Sequence, residues 1–186
     1  MDGSTNGAEH INLFALVVYI PDPLARFLDD LRKELTPGCL PRAHVTILPP
    51  RPLIFSVAAA TERARTGVSG FAPFDILLGE VEIFQSTDVI YIGIRDGEKE
   101  LRELYHTLNT GSLASDEQYP YQPHITLAQE LEPGHVQETY NLARNRWAAY
   151  PHSRRFRAEH AFFVQSRDDG SWVDLAEFRF QGVPAG

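Results

Sequence analysis

"PRAHVTILPP" (residues 41–50) and "YQPHITLAQE" (residues 121–130) decide how this chain folds. Each places a histidine two residues ahead of a threonine inside a short apolar run: His44 and Thr46, then His124 and Thr126. Side chains alternate across a β-strand. His44 and Thr46 therefore share one face, and Val45 and Ile47 the other. Ile125 and Leu127 back His124 and Thr126 in the same way. The apolar pair can anchor in a core while the polar pair faces a groove.

The segments before the two runs also correspond. "NLFALVVYI" (Asn12 to Ile20) is rich in β-branched and aromatic residues and stops at Pro21, which predicts a buried strand. Leu24, Phe27, Leu28, Leu31 and Leu35 then follow helical spacing, closed by Thr36-Pro37-Gly38. A strand from His44 to Leu48 follows. In the second half, "VIYIGI" (Val89 to Ile94) is a strand, and Leu101, Leu104, Tyr105 and Leu108 form a helical stripe. A loop over residues 110–123 leads to the strand His124 to Leu127. Strand, helix, loop, His-x-Thr strand thus occurs twice, as element order rather than as sequence identity.

Other elements complete the count. Val57 to Arg65 predicts a helix, Phe74 to Phe84 a strand bent at Gly79, and the spacing of Val136, Tyr140, Ala143 and Trp147 another helix. "RFRAEHAFFVQS" and "SWVDLAEFRF" read as two strands of a hairpin around "RDDG". About seven strands and four helices in mixed order make an α+β domain, with helices packed on curved sheets.

The 186 residues fit a single domain, 1–186, or two lobes sharing a core, with residues 1–10 and 181–186 expected as loose tails. Apolar residues make up 43%, enough for a buried interior. No stretch approaches the roughly 18 apolar residues of a membrane span. The start, "MDGSTNGAEH", lacks the basic and apolar regions of a secretory signal. With Cys39 the single cysteine, no internal disulfide can form, and a cytoplasmic location is expected. A net charge of −8 argues against extensive binding of duplex DNA or other duplex nucleic acid, but leaves room for a small anion in a locally basic groove.

If the two halves pack about an approximate two-fold axis, two imidazoles and two hydroxyls meet at the middle. That set suits phosphodiester chemistry. Histidine titrates near neutrality, so a pair can supply a base for the attacking oxygen and an acid for the leaving oxygen. The ordinary histidine value predicts a bell-shaped pH profile with limbs on either side of neutrality. Threonine hydroxyls can donate to the non-bridging oxygens as charge builds. No metal or other cofactor is called for, and no H-E-x-x-H or Asp-rich loop suggests one.

At these residues the chain resembles the two-histidine (2H) phosphoesterase superfamily, and within it the RNA 2′,3′-cyclic phosphodiesterase and 2′-5′ RNA ligase-like group. His44-Val45-Thr46-Ile47 and His124-Ile125-Thr126-Leu127 match its paired H-x-[T/S]-x motifs, and "PHITLA" is similar to its second motif. The resemblance implies a bilobal, duplicated fold: two antiparallel sheets with outer helices around a central cleft. It implies metal-free opening of a 2′,3′-cyclic phosphate, on a nucleotide or at an RNA 3′ end, to a 2′-phosphate, with His44 and His124 as acid and base in unassigned order. Some members run the reverse, 2′-5′ joining. An acidic chain fits a nucleotide-sized substrate better than a large RNA, and a monomer is expected.

Further candidates flank the motifs. Arg42 and Arg51 bracket the first and could steer a phosphate; Tyr119 and Tyr121 precede the second and could stack on a base. Phe84 ends a strand at a place where the family carries a cleft aromatic. Arg144, Arg146, Arg154, Arg155 and Arg157, around Trp147 and Tyr150, form the basic region. A second reading of the whole chain is a binding module that holds a nucleotide or RNA end in the same cleft without turnover. A third is a structural domain acting through protein contacts, which would need a large exposed apolar patch.

Overall fold

In the computed structural model, which describes residues 8–182, β1 (His10–Tyr19) runs through the middle of a sheet. Its residues Phe14 to Val18 are buried, because the strand is covered on both faces. Phe14, Leu16 and Val18 enter the main core, while Ala15 and Val17 meet Val164 on the other side. The helix α1 (Leu24–Leu35) follows, burying Leu24, Leu28, Leu31 and Leu35 as their spacing predicts. Phe27 instead lies half-buried against Trp147 and Tyr150. β2 (His44–Arg51), α2 (Val57–Ser69) and β3 (Phe74–Ile83) come next. The second half supplies β4 (Ile90–Asp96), α3 (Glu98–Leu108), a 3-10 turn (Gly111–Leu113), β5 (His124–Ala128) and α4 (Val136–Ala148). β6 (Arg155–Ala158), β7 (His160–Arg167) and β8 (Trp172–Arg179) close the chain.

Two four-stranded sheets result, ordered β2-β1-β7-β8 and β5-β4-β3-β6, with every neighbouring pair antiparallel. Both His-x-Thr strands are outermost in their sheets, and β2 packs beside β5. The helices are exchanged: α1, from the first half, packs against β5, and α3, from the second, against β2. The fold is the duplicated, two-lobed α+β arrangement, with each lobe's helix supporting the other lobe's motif strand.

The strand count is eight, not seven, because "RFRAEHAFFVQS" is two strands. β6 pairs with β3 in one sheet, and β7 with β1 in the other. The apolar phase slips there: Phe156 and Ala158 are buried, then Ala161 and Phe163. A strand of constant phase cannot bury both sets on one face, so the chain changes sheet at Glu159. The strand bend expected at Gly79 coincides with register shifts in the β3–β4 ladder. Trp147 Nε1 donates to the Gly79 carbonyl at 2.9 Å.

Within the expected tails, 1–10 and 181–186, Glu9, His10 and Gly182 are tied to the fold. Glu9 and Asp168 exchange hydrogen bonds, His10 lies opposite Arg167 in the ladder, and Gly182 N donates to Phe71 O at 2.9 Å. Residues 1–7 and 183–186, which make up most of both expected tails, lie outside the described residues. Among the described residues no helix is long and apolar enough to cross a membrane.

Candidate active site

The two motifs sit in matching surroundings. From position 41 to 48 and from 121 to 128 the order of burial is the same: half-buried, exposed, buried, half-buried, buried, half-buried, buried, buried. Val45, Ile47, Ile125 and Leu127 are in the core, while His44, Thr46, His124 and Thr126 share the opposite faces. The ladder sets Tyr19 opposite His44 and Val17 opposite Thr46. It sets Gly93 opposite His124 and Tyr91 opposite Thr126.

Both rings are anchored alike. His44 Nδ1 meets the Arg42 carbonyl at 2.6 Å, and His124 Nδ1 meets the Gln122 carbonyl at 2.7 Å. A carbonyl only accepts, so each Nδ1 carries the hydrogen and each Nε2 keeps its lone pair. Burial is the main cause that lowers the His44 pKa, to about 4; the charges of Arg32 and His124 lower it further, against the Arg42 carbonyl. Burial also lowers His124, against the Gln122 carbonyl. A pair straddling neutrality is not what the structure gives: desolvation moves both to the acid side.

The loop before each histidine is pinned from its own helix. Arg32 of α1 donates to the Pro41 carbonyl at 2.6 Å, and Arg102 of α3 donates to the Tyr121 carbonyl at 2.6 Å. Both targets stand three residues ahead of the histidine. Asp29 Oδ1 adds a bond from Ala43 N at 2.6 Å.

Aromatic rings frame both histidines. Trp172 lies 4.7 Å from the His44 ring. Phe84 stacks on Tyr91 at 3.9 Å and presents its edge to His124 at 5.0 Å. Glu82 Oε2 accepts from the Tyr91 hydroxyl at 2.9 Å.

Of the supporting residues read from sequence, Phe84 is brought to His124. Arg42 lies beside the first motif, but its guanidinium covers the Tyr19 ring at 3.7 Å and pairs with Asp174 at 2.7 Å. Burial and Asp174 push the Tyr19 hydroxyl up to about 12. Arg51 is 2% exposed, and its nitrogens are held by Pro49 O, Asn109, Leu113 O and Glu117. It braces the 109–117 loop, with four of its five N–H donors already bonded and the side chain buried away from the histidines. Tyr121 is stacked flat on Tyr105 at 4.2 Å and donates its hydroxyl to the Thr46 carbonyl at 2.8 Å, tying the second loop to the first motif. It is a tie between lobes, not a stacking platform. Tyr119 is exposed and contacts Gln118. Four of the five arginines of the basic region are paired, Arg146 with Glu34, Arg154 with Glu80, Arg155 with Asp96 and Arg157 with Asp75, while Arg144 lies over the Tyr140 ring.

Trp172, Tyr19 and Tyr91 were not legible as site residues. They reach the histidines only through sheet pairing; a hairpin pattern puts Trp172 beside β7, but nothing local puts β7 beside β1. Among the described residues no three His, Cys, Asp or Glu side chains gather as a metal site.

A family model, the 2′-5′ RNA ligase superfamily, matches residues 20–170. The chain belongs to this superfamily of 2H phosphoesterases. A relative from Halalkalibacterium halodurans, BH1439, provisionally named a phosphoesterase, is 22% identical over 175 residues, spanning 89% of this chain and 96% of that one. Escherichia coli LigT, solved with phosphate, superposes with TM-score 0.59 at 14% identity, over 92% of this chain and 99% of LigT. TT0787 of Thermus thermophilus gives TM-score 0.64 at 18% identity, over 91% and 98%. At these identities the solved structures speak for the fold shared by the superfamily.

Proposed function

We propose that the protein is a cyclic phosphodiesterase that needs no metal and opens a 2′,3′-cyclic phosphate, on a nucleotide or at an RNA 3′ end, to a 2′-phosphate. The observation that carries this reading is the pair of histidines fixed through Nδ1, each leaving Nε2 turned from its own backbone anchor. Water adds to phosphorus while the bond from phosphorus to O3′ breaks. One Nε2 takes the proton of the attacking water, and the other, protonated, gives a proton to O3′. The Thr46 and Thr126 hydroxyls donate to the non-bridging oxygens. His44, which burial holds neutral down to about pH 4, is assigned as base, and His124 as acid. Phe84, stacked on Tyr91, and Trp172 offer aromatic surface beside the rings for the base and sugar. LigT, which shares the fold, has been solved with 3′-AMP, and that lends support to a nucleotide in the cleft.

The test is phosphorus NMR of adenosine 2′,3′-cyclic phosphate incubated with chelator-treated protein. The expected product is adenosine 2′-phosphate, with the rate reduced about 100-fold or more in His44→Ala and in His124→Ala. Undiminished product formation by the double variant would remove the reading.

A further inference from the structure

Alternation along β4 buries Ile90 and Ile92 in the core and turns Tyr91, Gly93 and Arg95 to the face that carries His124 and Thr126. Because Gly93 stands opposite His124, Arg95 is the next position on that face beyond the histidine. Two residues of strand span about 7 Å, a step like that between neighbouring phosphates of an extended nucleic-acid chain. Gly93 puts no side chain between the two. A Cβ there would come within 3.3 Å of Glu82 Oε1, so the Glu82 carboxylate hangs over this stretch as its acid.

Arg95 is exposed and, among the described residues, its guanidinium makes no ion pair or hydrogen bond. Its neighbours differ: Arg155 is held by Asp96, Arg157 by Asp75, Arg154 by Glu80, and, across the cleft, Arg42 by Asp174. On a chain of net charge −8, an unneutralised guanidinium beside the reacting histidine is where a second anionic group will settle. Its fork of donors matches phosphate oxygens.

We propose that Arg95 binds the phosphate next to the reacting one, so that the cleft favours a ribonucleotide chain ending in a cyclic phosphate over a single cyclic nucleotide. This rests on the function proposed above. One phosphate beyond the terminal group is all that this face reads by charge, since the remaining arginines on it are already paired. Glu82 sharpens the dependence, because without Arg95 it is left to repel the incoming chain.

The experiment compares adenylyl-adenosine 2′,3′-cyclic phosphate with adenosine 2′,3′-cyclic phosphate, in wild-type protein, Arg95→Ala and Arg95→Lys. The ratio of kcat/KM for the dinucleotide over the mononucleotide is expected to fall about fivefold in Arg95→Ala and to be partly kept in Arg95→Lys. The slope of log(kcat/KM) for the dinucleotide against log salt is expected to flatten by about 0.7 in Arg95→Ala. A ratio and slope unchanged by Arg95→Ala overturn the proposal. If wild-type protein turns over neither compound, the hydrolase reading falls, and calorimetric titration with the two ring-opened 2′-phosphates then decides the role of Arg95. Weaker binding of the dinucleotide alone in Arg95→Ala supports it; equal weakening of both overturns it.

Discussion

At the scale of single residues, the proposed chemistry rests on which nitrogen of each imidazole is free and when it is charged. Both Nδ1 atoms are tied to backbone carbonyls, and burial is the leading cause that lowers both pKa values, His44 to about 4. With His44 as base and His124 as acid, kcat/KM rises as His44 loses its proton near pH 4. It falls as His124 loses its own, below the ordinary histidine value. The pH profile of kcat/KM is therefore expected to peak on the acid side of neutrality, and a maximum at or above pH 7 would refute the assignment. The same shift bears on folding. A histidine whose native pKa lies below its unfolded value leaves the unfolded chain binding more protons in between, so stability declines as pH drops from about 6.5 to about 4. At this scale the sequence was informative. Strand alternation alone put each histidine beside its threonine and set their apolar neighbours in the core. It could not show the pKa shifts, because desolvation depends on what the rest of the fold packs around the ring.

At the scale of elements, the devices that aim the histidines are loops pinned by helices. Arg32 holds Pro41 and Arg102 holds Tyr121, one from each half. Tyr121 then crosses to the Thr46 carbonyl. Removing only that hydroxyl, in Tyr121→Phe, is expected to cost about 1 kcal/mol of stability. It should also lower kcat more than it raises KM, because the tie positions groups rather than binding substrate; thermal unfolding and steady-state kinetics measure the two. Equal kcat in the variant would show that the tie plays no part in alignment. The helices and most strands were readable from apolar period, α1 from its leucines and β1 from its unbroken apolar run. The pinning bonds were not, since Arg32 and Arg102 look like ordinary solvated helix residues until the loops fold over them. The switch of sheet at Glu159 left a trace, the slip from Phe156 and Ala158 to Ala161 and Phe163, which a hairpin reading of that segment overrode.

At the scale of the whole molecule, two sheets are held edge to edge so that β2 and β5 run side by side. The repeated element order predicted the duplication. Pairing of β1 with β7 joins residues some 150 positions apart, such as Phe14 and Gln165, and local pattern carries no record of a partner so distant. Arg51, read from sequence as a phosphate ligand, turns out to be part of this frame: a buried guanidinium that joins the end of β2 to the loop before the second motif. Arg51→Ala leaves Glu117 and the loop carbonyls without their cation and is expected to cost about 3–5 kcal/mol, read by urea unfolding. A loss under about 1 kcal/mol would mean that the loop is held by other means.

The central claim is that His44 and His124 act on one phosphorus atom. A crystal structure with adenosine 2′-phosphate in the cleft tests it most directly. The account predicts both Nε2 atoms within about 3 Å of oxygens bound to, or leaving, that single phosphorus, with the two threonine hydroxyls on its remaining oxygens. A phosphate contacted by one histidine while the other ring turns elsewhere would contradict it.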